Sequence, residues 1–194
     1  EERPETAADE ESGDDAAARE KQAMLAANVS PRLLLKLVAA PDPDTRARAA
    51  SLWRRLAQAG MKDDGFSELV VLLSSATHTG RPEAAELLAG SNDRAYAYSL
   101  GILAKMERDP AVKLAAIKGV CRMKLDGCGA YIIAAAGSED EGLRNGACAA
   151  AAGGDAELSD ADLLALSEKP CAAAYPEIIA KALRIKYASR PPED

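Results

Sequence analysis

The feature that most constrains this chain is a short frame that returns every 31 to 35 residues. Its clearest copy begins at Asp109, which is followed by Pro110. Asp is a natural helix N-cap, and proline is tolerated at the first helical position because its missing N–H has no partner there. Counting from Asp109, an apolar residue falls at +3 (Val112), a base at +4 (Lys113), a small residue at +7 (Ala116) and an apolar one at +11 (Val120). From Asp42 and Pro43 the same count gives Arg46, Ala49, Leu52 and Trp53. From Asp140 it gives Leu143, Arg144, Ala147 and Ala151. Two weaker copies fill the gaps: Thr77 with Arg81, Ala84, Leu87 and Leu88, and Cys171 with Ala174, Tyr175, Ile178 and Ala182.

A second apolar segment precedes each anchor. Leu34, Leu69, Leu100, Ile132 and Leu163 lead, and Leu37, Leu72, Leu103, Ala135 and Leu166 follow three residues later. A spacing of three places each pair on one helical face. The unit is therefore helix–turn–helix, repeated about five times. The first helices are expected near 30–40, 64–76, 93–107, 127–137 and 159–168, and the second near 43–59, 80–90, 110–124, 140–152 and 171–188. The units run about 30–60, 64–91, 93–125, 127–154 and 158–188, inside a repeat region of 29–190. Gly60, Asp63-Asp64-Gly65, Gly80, Gly90, Asp126-Gly127 and Gly153-Gly154-Asp155 punctuate them. Such a pair cannot bury its apolar faces alone, so stacked neighbours must build one continuous core. The abundant alanine fits this, since small residues at +7 let second helices approach closely.

The Asp-Pro-x-Val-(Lys/Arg)-x-x-Ala element behind a leucine-rich helix resembles the HEAT repeat. Its length is similar to the short bacterial variety named after phycobilisome lyases. The resemblance implies an all-α, right-handed α-solenoid of about five HEAT-like helix pairs, with the second helices on the concave face. It also implies a structural ladder between neighbouring units, carried here by Asp42, Asp109 and Asp140 with Arg46, Arg81, Lys113 and Arg144. Partner binding is the role it implies. The expected function is a non-catalytic scaffold or adaptor, a subunit of a larger bacterial assembly, whose partner is another protein or a multi-subunit complex. The alternative is an accessory or lyase-type protein acting on a small-molecule chromophore. A DNA-binding solenoid of the alkylpurine-glycosylase type is a third reading.

Charge bears on that third reading. Residues 1–20 hold nine acids and two bases, which accounts for the whole net charge of −7 and leaves the repeat region balanced. A balanced body lacks the electrostatic footprint of a nucleic-acid binder. Residues 1–14 read as an acidic disordered tail with too little apolar surface to offset ordering entropy. Residues 15–28 read as an N-terminal capping helix with Met24 and Leu25 as its apolar side chains. A denser basic patch (Arg32, Lys36, Arg46, Arg48, Arg54, Arg55) surrounds Trp53 in the first two pairs. These seven residues are the candidate partner-binding surface and the natural counter-surface for the tail. Trp53 at +11 reads first as core, since Leu88, Val120, Ala151 and Ala182 hold the equivalent positions, and its size where others are small is what suggests an exposed edge.

No run of 18 apolar residues is present, so no transmembrane segment is expected. No phosphate loop, dinucleotide fingerprint, nucleophile elbow or zinc-protease motif occurs, and no cofactor or metal is expected. His78, the one histidine, lies in a turn. Cys121, Cys128, Cys148 and Cys171 read first as small buried apolar residues where other units carry Ala. In an exported protein they would instead form one or two disulfides, Cys121–Cys128 across one interhelical turn being the natural pair. The chain starts at Glu1 in place of an initiator Met, and an exported or periplasmic bacterial setting is the expectation.

Overall fold

The structure is a computed structural model that describes residues 31–58, 66–75, 79–91, 93–154 and 156–188. The tail 1–14, the helix expected over 15–28, the anchor Thr77 and His78 lie outside them.

The described residues are helical, with no strand among them. Ten α-helices follow in order: α1 Pro31–Val38, α2 Pro43–Gln58, α3 Phe66–Ser74, α4 Arg81–Ser91, α5 Ala97–Met106, α6 Pro110–Arg122, α7 Cys128–Ala136, α8 Glu141–Ala152, α9 Asp160–Ser167 and α10 Pro176–Ala188. A 3-10 turn, Arg94–Tyr96, leads into α5, and another, Pro170–Ala174, precedes α10. Each odd-numbered helix packs on the even-numbered helix after it. The even-numbered helices also touch in sequence, α2 to α4 to α6 to α8 to α10.

The recurring frame marks the core. At +7, Ala49, Ala84, Ala116, Ala147 and Ile178 are buried; at +11, Trp53, Leu88, Val120, Ala151 and Ala182 are buried. One close approach explains why a small residue is needed between the even helices. A Cβ on Gly119 would sit 2.8 Å from Ala89 Cβ and 3.0 Å from the Ala89 backbone Cα. The first-helix pattern holds in α3 and α7 and shifts elsewhere: in α5 Leu100 and Ala104 are buried and Leu103 only partly, and in α9 Leu166 is buried and Leu163 only partly. Leu34 and Val38, not Leu34 and Leu37, make the inner face of α1, and Leu37 is 37% exposed. A spacing of four serves the contact as well as a spacing of three.

The last pair departs from the expected boundary. Cys171 begins no α-helix and lies in the 3-10 turn, while α10 starts at Pro176. Proline cannot donate to Ala172 and drives the residue before it out of the α region; Tyr175 sits at φ −127°, ψ 84°.

All four cysteines are bonded, Cys121 to Cys128 and Cys148 to Cys171. This corrects the reading of them as unpaired apolar side chains, although their burial, at most 8% exposed, agrees with it. The first bridge spans the turn between α6 and α7. There Lys124 takes the left-handed conformation (φ 54°), and the Leu125 and Lys124 N–H groups donate to the Val120 and Cys121 carbonyls. This double bond closes the end of α6 as a Schellman turn. The second bridge ties α8 to the 3-10 turn ahead of α10.

Candidate binding surface

The anchors act locally. Asp42 accepts from the Thr45 N–H at 2.8 Å, Asp109 from Ala111 and Val112 at 2.9 and 3.1 Å, and Asp140 from Leu143 at 2.7 Å. Each aspartate thus satisfies donors that the first turn of its own helix leaves open. The Thr45 side-chain and backbone donors hold the Asp42 carboxyl below its ordinary value.

The bases at +4 turn the other way. Arg46 Nη1 donates to the Ala40 and Pro41 carbonyls at 3.2 and 2.8 Å, and Arg144 Nη1 to those of Ser138 and Glu139 at 3.1 and 3.3 Å. Arg81 Nε donates to the Leu73 carbonyl at 3.2 Å. Of these three guanidinium groups, Arg81 closes the carbonyl end of α3, where orphan acceptors and the helix dipole both favour a cation, while Arg46 and Arg144 fasten turn carbonyls just beyond the ends of α1 and α7. Two of them also cross to the next pair. Arg46 meets Glu83 at 2.8 Å with both side chains under a fifth exposed, and Arg81 meets Glu107. The rungs are thus Arg–Glu, and the turn aspartates expected to carry them are occupied by capping. The Lys113 side chain, at +4 of the third pair, makes no hydrogen bond or ion pair among the described residues, and its backbone N–H donates to the Asp109 carbonyl. Burial acts to raise the Glu107 carboxyl but is outweighed. The Asp109 N–H, the Arg81 guanidinium and the Arg108 N–H bring it below its ordinary value of 4.5.

The seven candidate surface residues do not form one patch. Trp53 is fully buried, which takes it off the docking surface and makes it the largest side chain of the core. Arg46 is half-buried and committed to Glu83 and two carbonyls. The Arg32 side chain lies outside the described set. Lys36 is exposed on α1, while Arg48, Arg54 and Arg55 are exposed on α2.

What the structure assembles instead is a groove across α2, α4 and α6 with a cavity of about 330 Å³. Ala89, Gly90 and Ala115 line it, together with Arg54, Glu86, Lys118 and Arg122. Arg54 pairs with Glu86 at 3.2 Å, both about half exposed. A solvated pair of this kind contributes little and exchanges partners readily. Arg54, Lys118 and Arg122 border the cleft together with Glu86, around a floor without long side chains. Of these residues only Arg54 was singled out by the sequence. Lys118 and Arg122 belong to the third pair, and only the stacking of α2, α4 and α6 brings them beside it.

Among the described residues no cluster of His, Cys, Asp or Glu could hold a metal ion, and no helix is long and apolar enough to cross a membrane. No protein-family model matches the chain, and no curated protein or solved structure does.

Proposed function

We propose that this chain is a right-handed, HEAT-like α-solenoid of five helix pairs that holds rather than converts its ligand. The ligand is an acidic segment of a partner protein, seated in the groove across α2, α4 and α6. The in-order packing of the even helices supports the solenoid. The groove carries the functional reading. Its floor is made of the small residues Ala89, Gly90 and Ala115, and the cations Arg54 and Lys118 border it where a carboxylate of such a segment could pair. Glu86 tests an incoming charge, since a carboxylate from the ligand must displace it from Arg54 and a cation would be drawn to it.

The full chain titrated with a fluorescent Asp/Glu-rich peptide tests this, with peptides of neutral and Lys-rich composition alongside. The acidic peptide is expected to bind best, to weaken as salt rises, and to be lost in Lys118→Glu while Lys169→Glu leaves it unchanged. Equal binding of all three peptides, or an acidic peptide indifferent to Lys118→Glu, overturns the reading.

A further inference from the structure

On α5, Tyr98, Ile102 and Met106 stand four residues apart and point away from the core formed by Leu100 and Ala104. They are 80%, 44% and 70% exposed. A stripe at this spacing forms one ridge inclined about 26° to the helix axis, the kind of ridge that packs against the equivalent ridge of another helix. Beside its C-terminal end lies a cavity of about 550 Å³ with Ile102, Leu103 and Met106 on its apolar side and Glu107 and Arg108 on its polar side. The face therefore carries both a projecting aromatic side chain and a hollow that such a side chain fits.

We infer that α5 pairs with α5 of a second copy of this chain, antiparallel about a two-fold axis at Ile102, with Tyr98 of each copy entering the cavity beside Met106 of the other. The register follows from the spacing. Tyr98 and Met106 each lie about 6 Å from Ile102 along the axis, so a two-fold there sets every Tyr98 against a Met106. A ring against a thioether is a favourable contact. The phenol hydroxyl, which needs a partner once buried, reaches the polar side of the cavity. The charged residues bordering the stripe and its cavity (Arg81, Asp93, Arg94, Lys105, Glu107, Arg108, Asp109) sum to +1, so like copies repel little. The area agrees. At about 200 Å² for a large side chain, these three residues offer about 400 Å². A standard interface takes about 800 Å² from each partner, somewhat over half of it apolar. The binding groove lies on the even helices, so pairing through α5 leaves two grooves open and makes the scaffold bivalent. The dimer stands whether or not the groove takes an acidic ligand.

Sedimentation velocity on the full oxidised chain, from about 1 to 200 µM, tests this. The wild type is expected to dimerise within that range. Tyr98→Ala is expected to weaken the dimer by about 30-fold for each insertion lost, and the variant dimer loses both. Met106→Trp, which fills the cavity, is expected to weaken it as well. An equimolar mixture of the two variants restores one intact insertion and is expected to dimerise better than either alone, which no misfolding of the variants could produce. A wild type that stays monomeric, a dimer indifferent to both variants, or a mixture no better than its components overturns the proposal.

Discussion

Gly119 and Gly101 both lie inside α-helices, and replacing each with alanine is expected to move stability in opposite directions. On helix propensity alone either change is worth about 1 kcal/mol in favour of folding. At Gly101, in the middle of α5, an added Cβ meets nothing within 4 Å, so that gain is realised. At Gly119 the new carbon would lie 2.8 Å from Ala89 Cβ and 3.0 Å from both Ala89 Cα and Leu100 Cδ1. Leu100 can turn, but Ala89 Cα belongs to the buried backbone of α4 and moves only if α4 moves away from α6. Overpacking of this sort costs about 1–3 kcal/mol, which exceeds the propensity gain. A net loss of about 1 kcal/mol is expected for Gly119→Ala. The two variants should therefore differ by about 2 kcal/mol. Urea unfolding followed by circular dichroism resolves this, and in thermal melts of a chain this size each kcal/mol corresponds to about 2–4 °C. If Gly119→Ala stabilises as much as Gly101→Ala, then α4 and α6 are not held together through that glycine.

Two further outcomes follow from the ion pairs and the bridges. Because the Glu107 carboxyl is lowered in the folded chain, its contribution is full above the unfolded value near 4.5 and is lost as pH falls through the folded one. Glu107→Gln should remove stability at pH 7 and leave the variant less sensitive to acid than the wild type; parallel pH profiles for the two would contradict the assignment. Closing a loop of 23 residues restricts the unfolded chain more than closing one of 7. Replacing Cys148 and Cys171 together with alanine should thus cost about 3.4 kcal/mol against about 2.5 for Cys121 and Cys128, and a reversed order in urea titrations would refute this.

The positions that could be read from the sequence are those governed by helical period. The residues at +7 and +11 are all buried because a frame of Asp, base and small residue fixes both the helix start and its inner face. What escaped depends on neighbours that period does not encode. Leu37 was expected inside by its spacing from Leu34, yet Val38 serves α2 better. The partners of Arg46 and Arg81 are backbone carbonyls, which leave no trace in a sequence, and Glu83 and Glu107, which occupy different places relative to their anchors. Cys148 and Cys171 meet only because α8 lies against the turn before α10. The groove has the same origin: Arg54, Lys118 and Arg122 share no interval that a periodic search would notice. The basic cluster that did stand out around Trp53 was dispersed by the fold, since the helix turns Trp53 inward and Arg48, Arg54 and Arg55 outward.

The two bridges also set how far this chain can be drawn out. They short-circuit 7 and 23 residues of backbone and replace them with spans of 5.0 and 6.2 Å between Cα atoms. At about 3.3–3.6 Å per extended residue, close to 90 Å of contour length is withheld from any pulling force while the cystines are intact. All of it lies from Cys121 onward, so a load on the two ends lengthens the segment before α6 by its full amount and the remainder by much less. Reduction releases the withheld length in two steps of unequal size, the larger from the bridge between α8 and the turn ahead of α10.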